Sequence, residues 1–408
     1  MNDRISNIYI YLFIILFPFF CTGNTAHLFA KELAHLSTRI GRQDAVLLSD
    51  PKGRIIFAKN EGIPLVPAST LKIFTSLVAL HYLGPEYKFK TEFYMDRDAN
   101  LKIKGFGDPL LISEILLEVV DELSMRTDID FKTINDLILD DSYFKSPVII
   151  PGITSSYNPY DAPNGALCVN FNSVAFKRNK NDTYVSAEPQ TPLLPFVLPR
   201  IHASSMHEGR IILSSNNNEI TIYTGHLFSY FMKRKYAEFS GEIKTGTVQN
   251  KSDRLVLRYH SKYKLEQVVA KLLEHSNNFI ANQLLIVAGA EQYGPPGTLE
   301  KGILAARSYA YDALKIDQFK MSEGSGISRK NRMSAKTLHK ILRAFLPYHS
   351  LMPRTGKQLY KTGTLHGVHT RAGYIEDAKG ELYSFVILVN TPGKPLEPIM
   401  DIILRTIE

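Results

Sequence analysis

Ser69-Thr70-Leu71-Lys72 places a serine three residues before a lysine, at the start of a predicted helix. Residues at i and i+3 of a helix share a face, with Cβ atoms about 5–6 Å apart, so the Lys72 amine can reach the Ser69 hydroxyl. A lysine amine whose pKa is lowered can take the serine proton and so activate the hydroxyl for acyl transfer. The structural alternative is an N-cap serine followed by a solvated lysine, and the spacing alone does not exclude it.

The segments around this stretch predict a hairpin followed by a helix. Residues 45–49 and 54–58 are β-rich runs separated by a turn-like stretch. Apolar residues then recur at helical spacing from Leu71 until Gly84 ends the run. Ser69 is therefore expected at a helix N-terminus, where the helix dipole favours developing negative charge.

The N-terminus of this 408-residue chain predicts export. Arg4 precedes an apolar run over residues 8–20, so residues 1–26 are interpreted as a signal peptide. The run is shorter than the about 20 residues that span a membrane, but an uncleaved anchor with peripheral membrane association stays an open alternative. Removal of the signal leaves one cysteine, Cys168, which fits the bacterial periplasm better than a disulfide-rich secreted module. We expect this thiol to be a buried small hydrophobe.

Composition and charge indicate which kinds of molecule this chain can bind. The chain is 44% hydrophobic and 22% charged, as is ordinary for globular proteins, and its formal net charge of +8 survives removal of the signal. A basic surface can attract polyanions, but the sequence contains no nucleic-acid-binding motif, no long Lys/Arg block and no metal-ligand cluster. An anionic polymer or an anionic peptide is the more economical partner.

The pattern of elements predicts an inserted domain. Short strands, Pro- and Gly-rich turns and one amphipathic helix over residues 112–123 fill the chain from residue 91 to residue 221. We therefore divide the chain into a main domain, residues 27–90 and 222–408, and a mostly β insertion, residues 91–221. In the C-terminal part, residues 385–389 are apolar on both faces and should form a central strand.

Two further motifs could complete an acyl-transfer site, which needs a proton relay, oxyanion donors and a cation for an anionic substrate terminus. Ser276-Asn277-Asn278 offers a hydroxyl and a carboxamide that can both donate to and accept from a peptide amide. Lys361-Thr362-Gly363-Thr364 offers the cation and two hydroxyls. In this order the three motifs correspond to the set S-x-x-K, S-D-N and K-T-G of penicillin-binding proteins.

The last motif occurs twice, because residues 244–247 repeat the letters of residues 361–364. Residues 373–376 and 382–389 predict a C-terminal hairpin with its turn at residues 377–380. The later copy precedes this hairpin and continues as a strand. The earlier copy lies in a polar stretch, residues 241–253, which contains a predicted turn. We therefore predict that the later copy belongs to the site.

Over nearly all of its length after the signal, the chain resembles the class C low-molecular-mass penicillin-binding proteins, the D-alanyl-D-alanine carboxypeptidase/endopeptidase family. The matching words are Gly105-Phe106-Gly107-Asp108-Pro109, Asp140-Asp141-Ser142-Tyr143-Phe144, Tyr160-Asp161-Ala162-Pro163, Asn170-Phe171-Asn172, residues 275–281, Glu323-Gly324-Ser325-Gly326-Ile327-Ser328-Arg329 and residues 361–374. Ser276 follows Ser69 by 207 residues, which also fits, since the family carries an inserted domain between these motifs.

The resemblance implies an α/β (α+β) protein with the penicillin-recognising DD-peptidase fold. This fold is a five-stranded antiparallel sheet with helices on both faces, to which the inserted domain is added. For the chemistry, the resemblance implies that Ser69 is the nucleophile and Lys72 its base. Ser276 would pass the proton to the leaving D-alanine.

The resemblance also implies how the substrate is held. Asn278 would bind the substrate backbone, while Lys361 would bind the substrate carboxylate together with Thr362 and Thr364. Lys361 would in addition lower the pKa of the amine of the base. The backbone N–H groups of Ser69 and Thr364 would form the oxyanion hole, where the loss of one donor typically costs about 10²–10³ in rate.

The expected function is that of an exported serine DD-peptidase acting on peptidoglycan stem peptides, without metal or cofactor. It would cleave the terminal D-Ala–D-Ala bond or D-Ala–meso-diaminopimelate cross-links, and β-lactam antibiotics would acylate the same serine. The alternatives are a β-lactamase-like hydrolase and a catalytically silent wall-binding protein of the same fold. The sequence does not decide between carboxypeptidase and endopeptidase activity, and it does not indicate the oligomeric state.

Two features depart from the family pattern. Residues 333–345 predict an amphipathic helix, and only residues 346–360 separate it from the Lys361 motif, where the family usually has a longer stretch. Glu323 stands where the family usually has aspartate. The first departure predicts a changed border of the substrate pocket, and the second predicts a minor effect because a carboxylate is retained. We expect residues 324–328 to form a structural turn beneath the site.

Overall fold

The computed structural model describes residues 23–126, 133–236 and 241–407. Most of the predicted signal, residues 1–26, lies outside these ranges, and its last four residues belong to the first helix. The helices are α1 (Gly23–Thr38), α2 (Leu71–Leu83), α3 (Ser113–Ser124), α4 (Leu198–Ser204), α5 (Glu219–Tyr236), α6 (Leu265–His275), α7 (Asn278–Tyr293), α8 (Leu299–Asp312), α9 (Ala335–Phe345) and α10 (Glu397–Ile407).

The strands of the same ranges form three sheets. They are β1 (Asp44–Ser49), β2 (Ile55–Lys59), β3 (Lys88–Met95), β4 (Leu101–Gly105), β5 (Leu137–Asp140), β6 (Ser173–Arg178), β7 (Tyr184–Ser186), β8 (Glu208–Ile212), β9 (Ile243–Thr245), β10 (Arg254–Lys264), β11 (Arg354–Thr355), β12 (Gln358–Leu365), β13 (Val368–Glu376) and β14 (Leu382–Val389). Across the described ranges, no helix combines the length and the apolar character that a membrane crossing requires.

The largest sheet is antiparallel and has the strand order β11-β12-β13-β14-β1-β2. Five of its strands have five or more residues, and β11 adds a sixth strand of two residues. The hairpin predicted from residues 45–58 is confirmed as β1 and β2. The predicted central strand is also confirmed, because β14 lies between β13 and β1.

Helices cover both faces of this sheet. Side chains alternate between the faces of a strand, and β14 is apolar at successive positions. Phe385 and Ile387 pack in a buried cluster that includes residues of α1 and α10. Val386 and Leu388 belong to the cluster that includes residues of α2 and α9. The two-sided apolar pattern of β14 therefore places it in the middle of a three-layer arrangement of helix, sheet and helix.

The chain between α2 and α6 forms the two smaller sheets. One has the order β10-β3-β4-β5-β9, with β4–β5 and β5–β9 paired in parallel, and the other has the order β7-β6-β8. The predicted helix of residues 112–123 corresponds to α3. The first of these sheets joins strands on both sides of residue 221, since β9 and β10 pair with β5 and β3. The division of the chain at residues 90 and 221 stays a prediction.

Cys168 lies in this middle part of the chain and is buried, as expected. Its thiol donates to the carbonyl of Gly165 at 3.2 Å and accepts from the side chain of Asn172 at 2.9 Å. Burial raises the pKa of the Cys168 thiol to about 12. The thiol is therefore protonated at neutral pH and unsuited to nucleophilic chemistry.

Candidate active site

Ser69 lies in a 3₁₀ turn, Ala68–Thr70, immediately before α2. The turn is anchored at the carbonyl of Pro67, which accepts hydrogen bonds from the hydroxyl of Thr70 at 2.6 Å and from that of Thr370 on β13 at 2.8 Å. Ser69 therefore precedes the helix by two residues and is held against the large sheet. The sequence predicted a helix start at Ser69, and the observed α-helix starts two residues later, at Leu71.

Lys72, in the first turn of α2, is fully buried, and its amine meets three oxygen atoms. Nζ lies 2.8 Å from Oγ of Ser69, 2.8 Å from Oδ1 of Asn278 and 2.7 Å from the carbonyl oxygen of Ser325. The last two oxygens can only accept hydrogen bonds. A neutral amine has two hydrogens and one lone pair, so it donates to these two and offers its lone pair to the hydroxyl of Ser69.

The electrostatic environment favours that neutral form. Burial lowers the pKa of Lys72 well below its ordinary value, and the nearby ammonium of Lys361 lowers it further, while the carboxylate of Glu323 raises it. Lys361 is itself buried, and this burial lowers its pKa to about 8. The arrangement therefore combines an amine able to act as a base with a second lysine that is protonated at neutral pH.

Lys361 lies on β12, next to the turn that carries the serine. Gly363, two residues further on the same strand, explains the close approach: a Cβ at this position would lie 2.7 Å from the backbone nitrogen of Ser69. Thr362 and Thr364 alternate with these residues and are exposed. The structure thus brings the Lys361 motif to the serine turn and leaves both threonine side chains open to solvent.

Asn278 is the first residue of α7, and Ser276 precedes it at the end of α6. The side chain of Asn277 caps α7 by accepting from the backbone N–H of Ile280 at 3.0 Å. Ser276 has a left-handed backbone, with φ 53°, which turns the chain between the two helices. Asn278 is hydrogen-bonded to Lys72, whereas within the described residues no hydrogen bond joins the hydroxyl of Ser276 to Ser69 or Lys72.

The contact between Lys72 and the carbonyl of Ser325 was not predicted. Residues 324–328 do form a turn beneath the site, as expected, and it encloses the buried carboxylate of Glu323. A motif search detects side chains, but this contact is made by a backbone carbonyl that any residue could supply. The signal that could have revealed it is the acidic residue two positions earlier, which organises the turn.

The earlier copy of the third motif lies elsewhere. Lys244 is on β9 of a smaller sheet, and its amine forms ion pairs with Asp136 at 2.7 Å and Glu242 at 2.8 Å. Its side chain is half exposed. The two motifs share their sequence but not their surroundings, because Lys244 is half exposed and ion-paired whereas Lys361 is buried next to the serine turn. This difference agrees with the choice of the later copy.

Comparison with known proteins decides the family. The profile of the D-Ala-D-Ala carboxypeptidase 3 (S13) family matches residues 33–197 and 203–352, which is more than half of the chain. The chain belongs to the S13 family. The profile match includes the motifs of Ser69 and Ser276 and ends before Lys361, so the roles of the individual site residues stay predictions.

Curated relatives agree with membership of the S13 family. A D-alanyl-D-alanine carboxypeptidase (DacB) of Haemophilus influenzae is 22% identical, with 83% of this chain and 83% of that protein covered. A D-alanyl-D-alanine carboxypeptidase of Actinomadura sp. (strain R39) is 24% identical over 86% of this chain and 78% of its own. A penicillin-sensitive carboxypeptidase A of Dictyostelium discoideum is 23% identical over 85% of this chain and 82% of its own.

Solved structures establish the fold of this S13 protein. Penicillin-binding protein 4 of Haemophilus influenzae superposes with a TM-score of 0.71 at 21% identity, covering 90% of this chain and 94% of that one. Its complex with a β-lactam gives a TM-score of 0.68 at 21% identity and the same coverage. These superpositions confirm the predicted penicillin-recognising fold. The profile match and the curated relatives confirm the predicted family and the enzyme class of serine D-Ala-D-Ala carboxypeptidases.

Proposed function

We propose that this S13 protein is an exported, periplasmic serine DD-peptidase that cleaves peptidoglycan stem peptides through an acyl-enzyme on Ser69. The observation that carries the proposal is the buried amine of Lys72, which has two carbonyl acceptors for its hydrogens and the hydroxyl of Ser69 opposite its lone pair. The named activity of the carboxypeptidase relatives supports the choice of substrate.

Acylation begins when Lys72 takes the proton of Ser69 while Oγ attacks the carbonyl carbon of the penultimate D-alanine. The resulting oxyanion accepts hydrogen bonds from the backbone N–H groups of Ser69 and Thr364. The C–N bond then breaks, and Ser276 transfers its proton to the departing amine. Ser276 recovers a proton from Lys72, so both groups are again in their starting forms and the base is neutral for deacylation. Free D-alanine leaves, and the stem peptide stays attached to the serine as an ester.

Deacylation uses the same groups in reverse. Water replaces the departed amine, gives one proton to the base and attacks the ester carbon. The C–O bond to Ser69 breaks, and the serine oxygen regains a proton from Lys72. The products are the shortened peptide with a free carboxylate and the original enzyme, so the cycle balances without metal or cofactor.

Substrate binding is assigned to one cation and two hydroxyl groups on β12, next to the serine. Lys361 attracts the terminal carboxylate, with the exposed hydroxyls of Thr362 and Thr364 as hydrogen-bond donors. The edge of β12 supports this assignment, because β11 pairs with β12 only at Gln358 and Leu359. An extended peptide can therefore lie along the rest of that edge as an added strand.

Labelling with a fluorescent penicillin tests the proposal. The wild-type protein should be labelled covalently, and Ser69→Ala should be folded, as judged by thermal unfolding, but unlabelled. Equal labelling of Ser69→Ala would overturn the assignment of the nucleophile. Rapid turnover of penicillin would instead support the β-lactamase alternative, and absence of both labelling and D-alanine release would support the silent wall-binding protein.

The substrate preference needs a separate assay. Purified cross-linked and uncross-linked muropeptides are incubated with the enzyme, and the products are followed by mass spectrometry. Release of D-alanine from uncross-linked peptides identifies carboxypeptidase activity, and conversion of dimers to monomers identifies endopeptidase activity. Cleavage of neither substrate by a protein that penicillin acylates would contradict the proposed substrate class.

A further inference from the structure

The Glu323 carboxylate is completely buried and is enclosed by hydrogen-bond donors of the adjoining turn, residues 324–328, and of Asn331. The donors are the backbone N–H groups of Ser325 at 2.6 Å, Gly326 at 2.8 Å and Ser328 at 3.2 Å, the hydroxyl of Ser325 at 2.5 Å, and the side-chain amide of Asn331 at 2.6 Å. A carboxylate that accepts this many bonds fixes the backbone path of the turn around it. The direction of the Ser325 carbonyl is therefore determined by this carboxylate.

The turn is also attached to both helices that carry the site. The hydroxyl of Thr75, on α2, donates to the carbonyl of Gly324 at 2.6 Å, and the side chain of Asn282, on α7, accepts from the N–H of the same residue at 2.7 Å. Gly326 has φ +87°, and a Cβ there would overlap the carbonyl oxygen of Ala68. The turn thus packs directly against the residue that precedes the nucleophile.

We propose that Glu323 is a positioning residue for acylation: it holds the Ser325 carbonyl on the amine of Lys72, so that the lone pair of the amine faces the hydroxyl of Ser69. The proposal rests on the proposed role of Lys72 as the base. Without the acceptor at Ser325, one hydrogen of the amine would lose its partner, and rotation about the terminal C–N bond could turn the lone pair away from the serine.

Glu323 should also affect the pH at which the base works. The charged groups that act on the Lys72 amine are Lys361, from β12, and Glu323, from the turn. Because a nearby carboxylate favours the ammonium form, its removal should lower the pKa of Lys72 further. A base must be deprotonated to act, so the acid limb of the acylation rate should move to lower pH in Glu323→Gln.

The experiment measures the rate constant for acylation by a fluorescent penicillin between about pH 5 and 9, a range that extends to both sides of physiological pH. Four proteins are compared: the wild type, Glu323→Gln, Glu323→Asp and Asn331→Ala. Glu323→Gln should acylate about tenfold more slowly at its own optimum, since a misplaced catalytic group costs up to about 10² in rate. Its acid limb should also lie at lower pH than that of the wild type.

The other variants separate charge from loosened structure. Glu323→Asp keeps the charge and should retain the wild-type acid limb and recover most of the rate. Asn331→Ala removes one hydrogen bond to the carboxylate without changing its charge, so its acid limb should not move. A wild-type rate in Glu323→Gln, or an unshifted limb with the same loss of rate as in Asn331→Ala, would overturn the proposal.

Thermal unfolding shows whether Glu323→Gln folds. If it does not fold, a second variant tests the same proposal. Thr75→Val releases the Gly324 carbonyl from α2 and leaves Glu323 and Lys72 intact. Because a positioning contact is lost, acylation should slow about threefold or more. An unchanged rate in Thr75→Val would contradict positioning by the turn. Failure of the proposed function is distinct, since the wild type would then resist labelling altogether.

Discussion

The side-chain amide of Asn278 donates a hydrogen bond of 3.1 Å to the backbone carbonyl of Tyr160. Because the NH₂ group of the amide is used in this bond, the oxygen of the same amide faces the amine of Lys72. Tyr160 lies in the part of the chain that forms the smaller sheets, between α2 and α6. A backbone group outside the large sheet therefore orients a side chain within the candidate site.

The first prediction concerns this orientation. Asn278→Ala removes the acceptor of one Lys72 hydrogen and should slow acylation by penicillin about 10- to 100-fold, the range for a misplaced catalytic group. Asn278→Asp keeps the size and the acceptor but places a negative charge beside the amine, so the pKa of Lys72 should rise and the acid limb should move to higher pH. An Asn278→Asp enzyme with the wild-type acid limb would show that this side chain does not contact the base.

The second prediction concerns the approach of β12 to the nucleophile. Gly363→Ala should displace Ser69, because the new Cβ would lie 2.7 Å from the backbone nitrogen of that serine. The same Cβ would overlap the hydroxyl of Thr370, which holds the serine turn through the carbonyl of Pro67. The displaced N–H is a proposed oxyanion donor, and the loss of such a donor costs about 10²–10³ in rate. Gly62→Ala is the matched control, since nothing lies within 4 Å of its added Cβ. Acylation by penicillin is measured for both, and equal rates would contradict the predicted contact.

The third prediction concerns pH. Lys361 is charged below its pKa of about 8 and neutral above it, since burial lowers this pKa from the ordinary lysine value. Attraction of the substrate carboxylate should therefore weaken as the pH rises through about 8. We expect kcat/KM for an uncross-linked stem peptide, which reports on groups of the free enzyme, to fall over this interval, mainly through KM. A flat profile up to about pH 10, near the ordinary lysine pKa, would contradict this assignment of Lys361.

The fourth prediction separates the two copies of the third motif. Lys244→Met loses a surface ion pair with Asp136 and Glu242, so it should retain penicillin labelling and unfold at nearly the wild-type temperature. Lys361→Met removes the cation beside Lys72, so it should be labelled far more slowly. Labelling gels of the two variants, run alongside the wild type, make the comparison. Loss of labelling in Lys244→Met with retention in Lys361→Met would reverse the choice of copy.

Much of the fold was predictable where the signal is local. The hairpin of β1 and β2 follows from two β-rich runs and a turn, and the central place of β14 follows from its apolar residues on both faces. The pairing of β9 and β10 with β5 and β3 was not predictable. Each pair meets across more than a hundred residues of sequence, and the alternation of side chains along a strand does not identify which distant strand is its partner.

In the candidate site, too, some features were predictable from the sequence and others were not. Ser69, Lys72, Asn278 and Lys361 were named because their side chains stand in recognisable motifs, and the structure brings them together. The carbonyls of Ser325 and Tyr160, which accept from Lys72 and Asn278, were not anticipated. Backbone groups are common to all residues, so their contribution becomes visible only in three dimensions.

The position of β14 has a consequence for incomplete copies of this protein. Residues 382–389 lie between β13 and β1, so in the described part of the chain they join the strand pair that carries Lys361 to the strands formed near residue 44. A copy that terminated before Leu382 would contain every proposed catalytic residue and yet lack the strand that connects them. Gene fragments or proteolytic products with all three motifs should therefore be inert toward the cell wall.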